Sequence, residues 1–202
     1  MTETSMITSN PFNGERRPGT VGTALDDVEV KIIDPETGQK KAAGEVGGIE
    51  VRGPNVFKGY WNMPDKTELE LRKNGFFITG DLGTICSDGY LSIVGREKDL
   101  IISGGYNVYP KEVEDVLNEL NNVKETAVFG IPDKDFGERV IAAIVMIDNE
   151  NFNQSQTESF VNHKLARYKQ PKEYVVLEAL PRNTMGKVQK NELRKRFSNP
   201  KD

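Results

Sequence analysis

Residues 95–110 read Gly95-Arg96-Glu97-Lys98-Asp99-Leu100-Ile101-Ile102-Ser103-Gly104-Gly105-Tyr106-Asn107-Val108-Tyr109-Pro110, and the chain changes character across them. On their N-terminal side, glycines and prolines punctuate short runs of alternating apolar and polar residues, the pattern of strands joined by turns. Residues 28–33 (VEVKII) alternate and break at Asp34-Pro35-Glu36-Thr37-Gly38, a turn sequence. Residues 48–53 (GIEVRG) predict a second strand and residues 56–61 a third. Pro64 suits the first turn of a short helix reaching about residue 72. Strand resumes at residues 76–79, and residues 82–86 and 90–94 flank Ser87-Asp88-Gly89 as arms of a hairpin. On the C-terminal side, Pro110 opens a helix whose Val113, Val116, Leu117 and Leu120 form one apolar stripe. Strands follow at residues 126–130 and 140–147, the second nearly all apolar and so central in a sheet. A helix near residues 157–165, a strand at 174–177 and a helix over about 190–197 complete an α+β unit. The boundary falls at residues 95–98.

The chain has 202 residues, 36% hydrophobic and 29% charged, with a mean hydropathy of -0.56. No apolar run approaches the roughly 20 residues that cross a bilayer, and residues 1–10 lack the pattern of a signal peptide. One cysteine, Cys86, and one histidine, His163, exclude an internal disulfide and a His/Cys zinc cluster. A reducing, cytosolic compartment is the expectation. The net charge of -4 conceals an asymmetry. Residues 1–163 carry 16 basic and 27 acidic side chains, whereas residues 164–202 carry 11 and 4, a net +7. Such a cationic segment suits an anionic ligand or a solvated helix face. It lacks the aromatic-and-basic platform of a nucleic-acid binder.

Four segments place polar residues and glycines where a packed scaffold has no use for them. Thr2-Glu3-Thr4 offers hydroxyls beside a carboxylate, which suit phosphate oxygens and a hard cation, or else a frayed terminus. Thr79-Gly80-Asp81 puts a carboxylate at the expected end of a strand, where it can accept two hydrogen bonds from a vicinal diol or cap a turn. The charged run from Arg96 to Asp99 reads as a linker, and Gly104-Gly105 lets a backbone or a thin ligand approach closely. Pro181 through Lys187 carries a lysine on a Gly-containing loop, a mobile charge for a phosphate. The spacing of a Walker A loop is absent from it.

In this order, the four segments resemble the C-terminal part of the adenylate-forming superfamily, which comprises acyl-CoA synthetases, peptide-synthetase adenylation domains and luciferases. Thr2-Glu3 resembles the end of the Y-G-x-T-E motif, Thr79-Gly80-Asp81 the T-G-D motif, and Pro181 to Lys187 the P-x-x-x-x-G-K motif. The runs TETSM, RGPNVFKGYW, GFFITGDLG, SGGYNVYPKEVE and PRNTMGKVQKNELR look most like malonyl-CoA synthetases. The resemblance implies a mixed α/β fold: a partial β-barrel-like remnant of the large AMP-binding domain over residues 1–95, a hinge at 96–98, and a mobile α+β domain over 99–202. It implies ATP, Mg²⁺ and CoA, with a carboxylic acid such as malonate as substrate.

By the same resemblance, Thr2, Asp81 and Arg96 contact ATP or AMP, Glu3 holds the metal, and Lys98 is the hinge residue. Ser103, Gly104, Gly105 and Tyr106 form a loop of the CoA tunnel, Met6 lines the acyl pocket, and Lys187 is the catalytic cation. The basic segment then faces phosphates. The Ser/Thr/Gly-rich phosphate loop of the family is not found in the sequence. The expectation is therefore a C-terminal fragment that lacks its N-terminal domain and is inactive alone in adenylation. A free-standing nucleotide- or partner-binding module is the alternative. Phe57, Tyr60 and Trp61 are expected to pack in the core, His163 to be structural, and Cys86 to lie in a strand without acting as a nucleophile.

Overall fold

Period-2 alternation builds the sheet of the first half. The computed structural model describes residues 1–148 and 150–198. Strands β1 (Thr8–Ser9) and β2 (Thr23–Ala24) pair with each other. Strands β3 (Glu29–Ile33), β4 (Gly47–Arg52), β5 (Phe77–Ile85) and β6 (Leu91–Arg96) form an antiparallel sheet in that order. Ile32, Ile49, Val51 and Leu91 bury one side together with Val30 and Ile7. The opposite face carries Glu50, fully buried and directly across from Lys31, whose ammonium lies 3.0 Å away. Arg72 approaches the same carboxylate, and Lys31 also sits 3.8 Å from the Phe76 ring centre. A buried carboxylate is tolerated only when so compensated. Helix α1 (Pro64–Glu70) starts on Pro64 at its first turn, where the missing N–H costs nothing.

Four details differ from the sequence reading. Residues 56–61 form no strand, because their backbone finds other partners: Phe57 N–H donates to the Glu3 carbonyl (2.8 Å) and Tyr60 N–H to Thr67 Oγ1 (2.9 Å). Phe57 does pack, edge-on to Tyr60 and Phe77, but Trp61 is 89% exposed. The two strands expected around Gly80 are one nine-residue strand, β5, which passes through Thr79-Gly80-Asp81 with a register shift between Leu82 and Gly83. Cys86 lies just beyond β5 in the turn closed by Gly89 N–H to Cys86 O (2.9 Å), and it is exposed.

The second half alternates strands and helices: β7 (Ile101–Ser103), β8 (Tyr106–Val108), α2 (Pro110–Leu117), β9 (Val123–Asp133), β10 (Gly137–Met146), α3 (Gln154–Lys164), β11 (Glu173–Val176) and α4 (Lys190–Ser198). β10 pairs with β9 and β7 antiparallel and with β11 parallel. Its unbroken apolar run follows from burial on both faces. Val140, Ala142 and Ile144 meet Val113 and Leu117 of α2 and Val161 of α3. Ile141, Ala143 and Val145 meet Phe129 of β9 and Leu193 of α4. Asn153 caps α3, its Oδ1 accepting from Gln156 N–H at 3.1 Å. Met1–Lys98 forms one compact unit and a second begins at Asp99. Residues 199–202, the end of the expected second domain, lie outside the described residues. Among the described residues, no helix is long and apolar enough to cross a membrane.

Candidate functional site

Antiparallel register brings Asp81 of β5 opposite Arg96 of β6. Arg96 Nε lies 2.9 Å from Asp81 Oδ1. The carboxylate is aimed by its strand. Buried Thr79 donates its hydroxyl to the Ile49 carbonyl (2.8 Å) and accepts the Asp81 N–H (3.1 Å), and Gly80 supplies the left-handed φ of 70° between them. Asp81 lines a cavity of about 160 Å³ whose other walls include Ile7, Val21, Ile49, Thr79 and Leu91. An apolar recess with one carboxylate at its edge suits a ligand that presents hydroxyls to Asp81.

The N-terminal residues are tied down rather than frayed. Asn55 Nδ2 donates to the carbonyls of Thr4 (2.8 Å) and Met6 (3.1 Å), and Thr4 is fully buried. The Tyr60 hydroxyl lies 2.6 Å from Glu70 Oε2 and 3.1 Å from Glu3 Oε1. Burial, then the two carboxylates, push the Tyr60 hydroxyl far above its ordinary pKa, so it keeps its proton. One proton serves one carboxylate at a time, and the shorter contact is to Glu70. Glu3 thus retains lone pairs for a cation. Among the described residues, no three His, Cys, Asp or Glu side chains cluster as a metal site. A lone carboxylate such as Glu3 can offer a hard cation one oxygen ligand. Thr2 is exposed, Met6 is 61% exposed, and Lys98 lies exposed in the short 3₁₀ turn Glu97–Asp99.

In the second unit, Gly104 and Gly105 join β7 to β8 as a two-residue turn, with φ of 58° and 80°. Two left-handed residues match the twist of a hairpin. Ser103 is buried beneath it, and Tyr106 stacks on Tyr168 with ring centres 4.7 Å apart. The Lys187 loop is closed by its own hydrogen bonds. Asn183 Oδ1 accepts the N–H of Met185 (3.0 Å) and of Lys187 (2.9 Å). Arg182 donates to the Gly186 carbonyl (2.6 Å) and pairs with Glu125.

The cationic segment is less available than its charge suggests. Lys164, Lys169, Arg182, Lys190 and Arg194 pair with Glu119, Glu112, Glu125, Glu114 and Asp99. The expectation that the whole segment faces phosphates is corrected accordingly, because acids of the same unit neutralise half of it. Burial would lower the Lys169 pKa, but Glu112 outweighs it and the net direction is upward. The Lys187 side chain has no hydrogen-bond or ion-pair partner among the described residues.

Sequence reasoning missed Tyr60 and Glu70 as neighbours of Glu3, and Arg182, Asn183 and Glu125 as supports of Lys187. Tyr60 was legible only as an aromatic, and Glu125 lies 57 residues from Arg182. Asn183 carried a signal, being a turn-forming side chain three residues before Gly186. His163 stands exposed on α3, its Nδ1 2.6 Å from the Ser159 carbonyl.

A profile described as AMP-binding enzyme matches residues 1–61, and one described as AMP-binding enzyme C-terminal domain matches residues 112–187. The chain is 41% identical to a probable CoA ligase, CCL8, of Humulus lupulus, over 98% of its own length and 34% of that protein. It is 40% identical to a malonate–CoA ligase of Arabidopsis thaliana, again over 98% of itself and 34% of the relative. Among solved structures, ATP-bound MatB from Rhodopseudomonas palustris is 52% identical with a TM-score of 0.93, and the match covers 98% of this chain and 40% of that one. The chain spans about a third of the length of the curated relatives it matches. Ordered motifs, profiles and superposition agree, and the chain belongs to the adenylate-forming AMP-binding enzymes, the family of the acyl-CoA ligases.

Proposed function

We propose that these residues serve the C-terminal part of an acyl-CoA ligase that converts a small dicarboxylate, malonate, to its CoA thioester through an acyl-adenylate. The observation that carries this reading is the 52% identity to MatB, a malonyl-CoA synthetase. In the first half-reaction a carboxylate attacks the α-phosphate of ATP and pyrophosphate leaves. In the second, the CoA thiol attacks the acyl carbon and AMP leaves. Such chemistry is mostly positioning and charge neutralisation.

Asp81 accepts the ribose hydroxyls while Arg96 holds its other side. Thr2 lies at the phosphates, and Glu3 is the carboxylate that would hold Mg²⁺. When bound, Mg²⁺ neutralises phosphate oxygens. Lys187 brings its unpaired ammonium to the attacking carboxylate and the α-phosphate. The Gly104-Gly105 turn, with Ser103 and Tyr106, borders the path of pantetheine, and Lys98 is the residue about which the second unit turns between half-reactions. Met6 flanks the acyl group. Residues 1–95, 96–98 and 99–202 are assigned as large-domain remnant, hinge and mobile domain.

These 202 residues alone do not carry out adenylation, since no Ser/Thr/Gly-rich phosphate loop occurs in them. ATP–pyrophosphate exchange tests both statements. The isolated chain is expected to give none. A chimera with the N-terminal part of R. palustris MatB ahead of these residues is expected to give malonate-dependent exchange. Exchange by the isolated chain, or a chimera without exchange, contradicts the reading.

A further inference from the structure

The root of Lys187 is held by a device that its local sequence does not reveal. Residues 181–187 lie between β11 and α4, and Met185 at the tip of their loop is 78% exposed. Asn183 N–H to Lys187 O (3.0 Å), Gly186 N–H to Asn183 O (2.9 Å) and the two amides on Asn183 Oδ1 are all internal to the loop. They give the loop its shape but do not fix its place on the sheet. Downstream, Val188 anchors it by packing against the cluster around β9 and β10. Upstream, buried Leu180 packs into the same cluster, and Arg182 adds a polar tie. One arm of its guanidinium donates to the carbonyl of Gly186, the residue before Lys187, and the other meets Glu125 on β9.

We propose that Arg182 is a positioning residue for Lys187: bridging the Gly186 carbonyl to Glu125, it fixes the point and direction from which the ammonium leaves the sheet. The inference rests on the adenylation reading of Lys187 given above. A lysine stem is flexible, so the protein controls its ammonium only by where the stem is rooted. A misplacement of about 1 Å can cost about 10²-fold in rate. The task also explains the residue type. A planar guanidinium presents two donors at a fixed angle to two acceptors, which a lysine ammonium on a flexible stem cannot do in the same way. Because Glu125 engages Arg182, it also keeps this cation from competing with Lys187 for an anionic ligand.

Two measurements test the assignment. In the 202-residue chain, amide hydrogen exchange at Met185 and Lys187 is compared among wild type, Arg182→Ala, Arg182→Lys and Glu125→Gln. Exchange is expected to quicken by about tenfold in both Arg182 variants and by less in Glu125→Gln, while the amides of β10 keep their protection. In the MatB chimera, Arg182→Ala is expected to lower ATP–pyrophosphate exchange by about 10²-fold. Thioester formation from supplied malonyl-adenylate should stay within about twofold, because that step does not use the Lys187 contact. Unchanged amide exchange in Arg182→Ala overturns the proposal. So does an equal fall of both half-reactions, which marks general damage to the unit. A wild-type chimera without exchange activity, or one indifferent to Lys187→Ala, instead defeats the adenylation reading, and the amide measurement still decides whether Arg182 holds the loop.

Discussion

Asp81 in the first unit and Lys187 in the second carry opposite charges and are prepared in opposite ways. Asp81 sits within a strand, its backbone cross-linked through Thr79, and its charge is met by Arg96 on the next strand. Lys187 sits on a loop, and its charge is met by nothing among the described residues, while Arg182, Lys190 and Arg194 nearby in sequence are each paired. A group that grips a ligand is best rigid and electrostatically balanced before the ligand arrives. A group that must neutralise charge growing in a transition state is best left unneutralised until then. The acids Glu125, Glu114 and Asp99 occupy Arg182, Lys190 and Arg194 and leave the Lys187 ammonium unpaired among the described residues.

Lys187→Ala gives the largest test of that contrast. In the MatB chimera it is expected to reduce adenylation by about 10²–10³, while urea unfolding of the 202-residue chain shifts by less than about 0.5 kcal/mol. A marked loss of stability would show that Lys187 is a scaffold cation after all. Arg194→Ala should behave in the opposite sense. Its guanidinium holds Asp99 at 3.0 Å with both side chains mostly buried, so the second unit is expected to lose about 1–3 kcal/mol in urea unfolding. An unchanged midpoint would reduce the paired cations to surface decoration.

The smallest effect concerns Asp34, where a carboxylate is balanced far from any site. The Lys41 ammonium first, and then the Thr37 and Glu36 amides, pull the Asp34 pKa from 3.8 down to about 2. Because the folded value is the lower one, the stabilisation is present at neutral pH and is lost as the pH falls from 3.8 to about 2. Thermal melts of Asp34→Asn should therefore differ from wild type at pH 7 and converge with it near pH 2. A gap that persists in acid would assign the effect to shape rather than charge.

How much of this was legible in the sequence depended on the range of the cause. The stripe of Val113, Val116 and Leu117 and the apolar run of β10 announce themselves, because periodicity and burial act on neighbours in sequence. The two-residue strands β1 and β2 are too short to show any period. Residues 56–61 look like a strand by composition, yet Thr67 and Glu3 take their backbone hydrogen bonds, which no local pattern records. Trp61 is expected to pack with Phe57 and Tyr60, and it stands in solvent. Asp81 and Lys187 were singled out through motifs and Arg96 through the resemblance, although its pairing with Asp81 is a matter of sheet register. Glu70 and Glu125 act from a distance along the chain and were invisible.

The Gly104-Gly105 turn has a consequence that concerns handedness rather than room. A Cβ at Gly105 would meet nothing within 4 Å, and one at Gly104 would touch only a Phe136 ring carbon at 3.5 Å, an ordinary contact. Crowding therefore does not reserve these positions for glycine. Their positive φ does, since an L residue is strained there while its mirror image is at ease. The turn is a chiral filter written into the backbone. It disfavours most L side chains on grounds of stereochemistry, the short polar ones least, as Asp27 and Asn62 show elsewhere in the chain at φ of 63° and 53°.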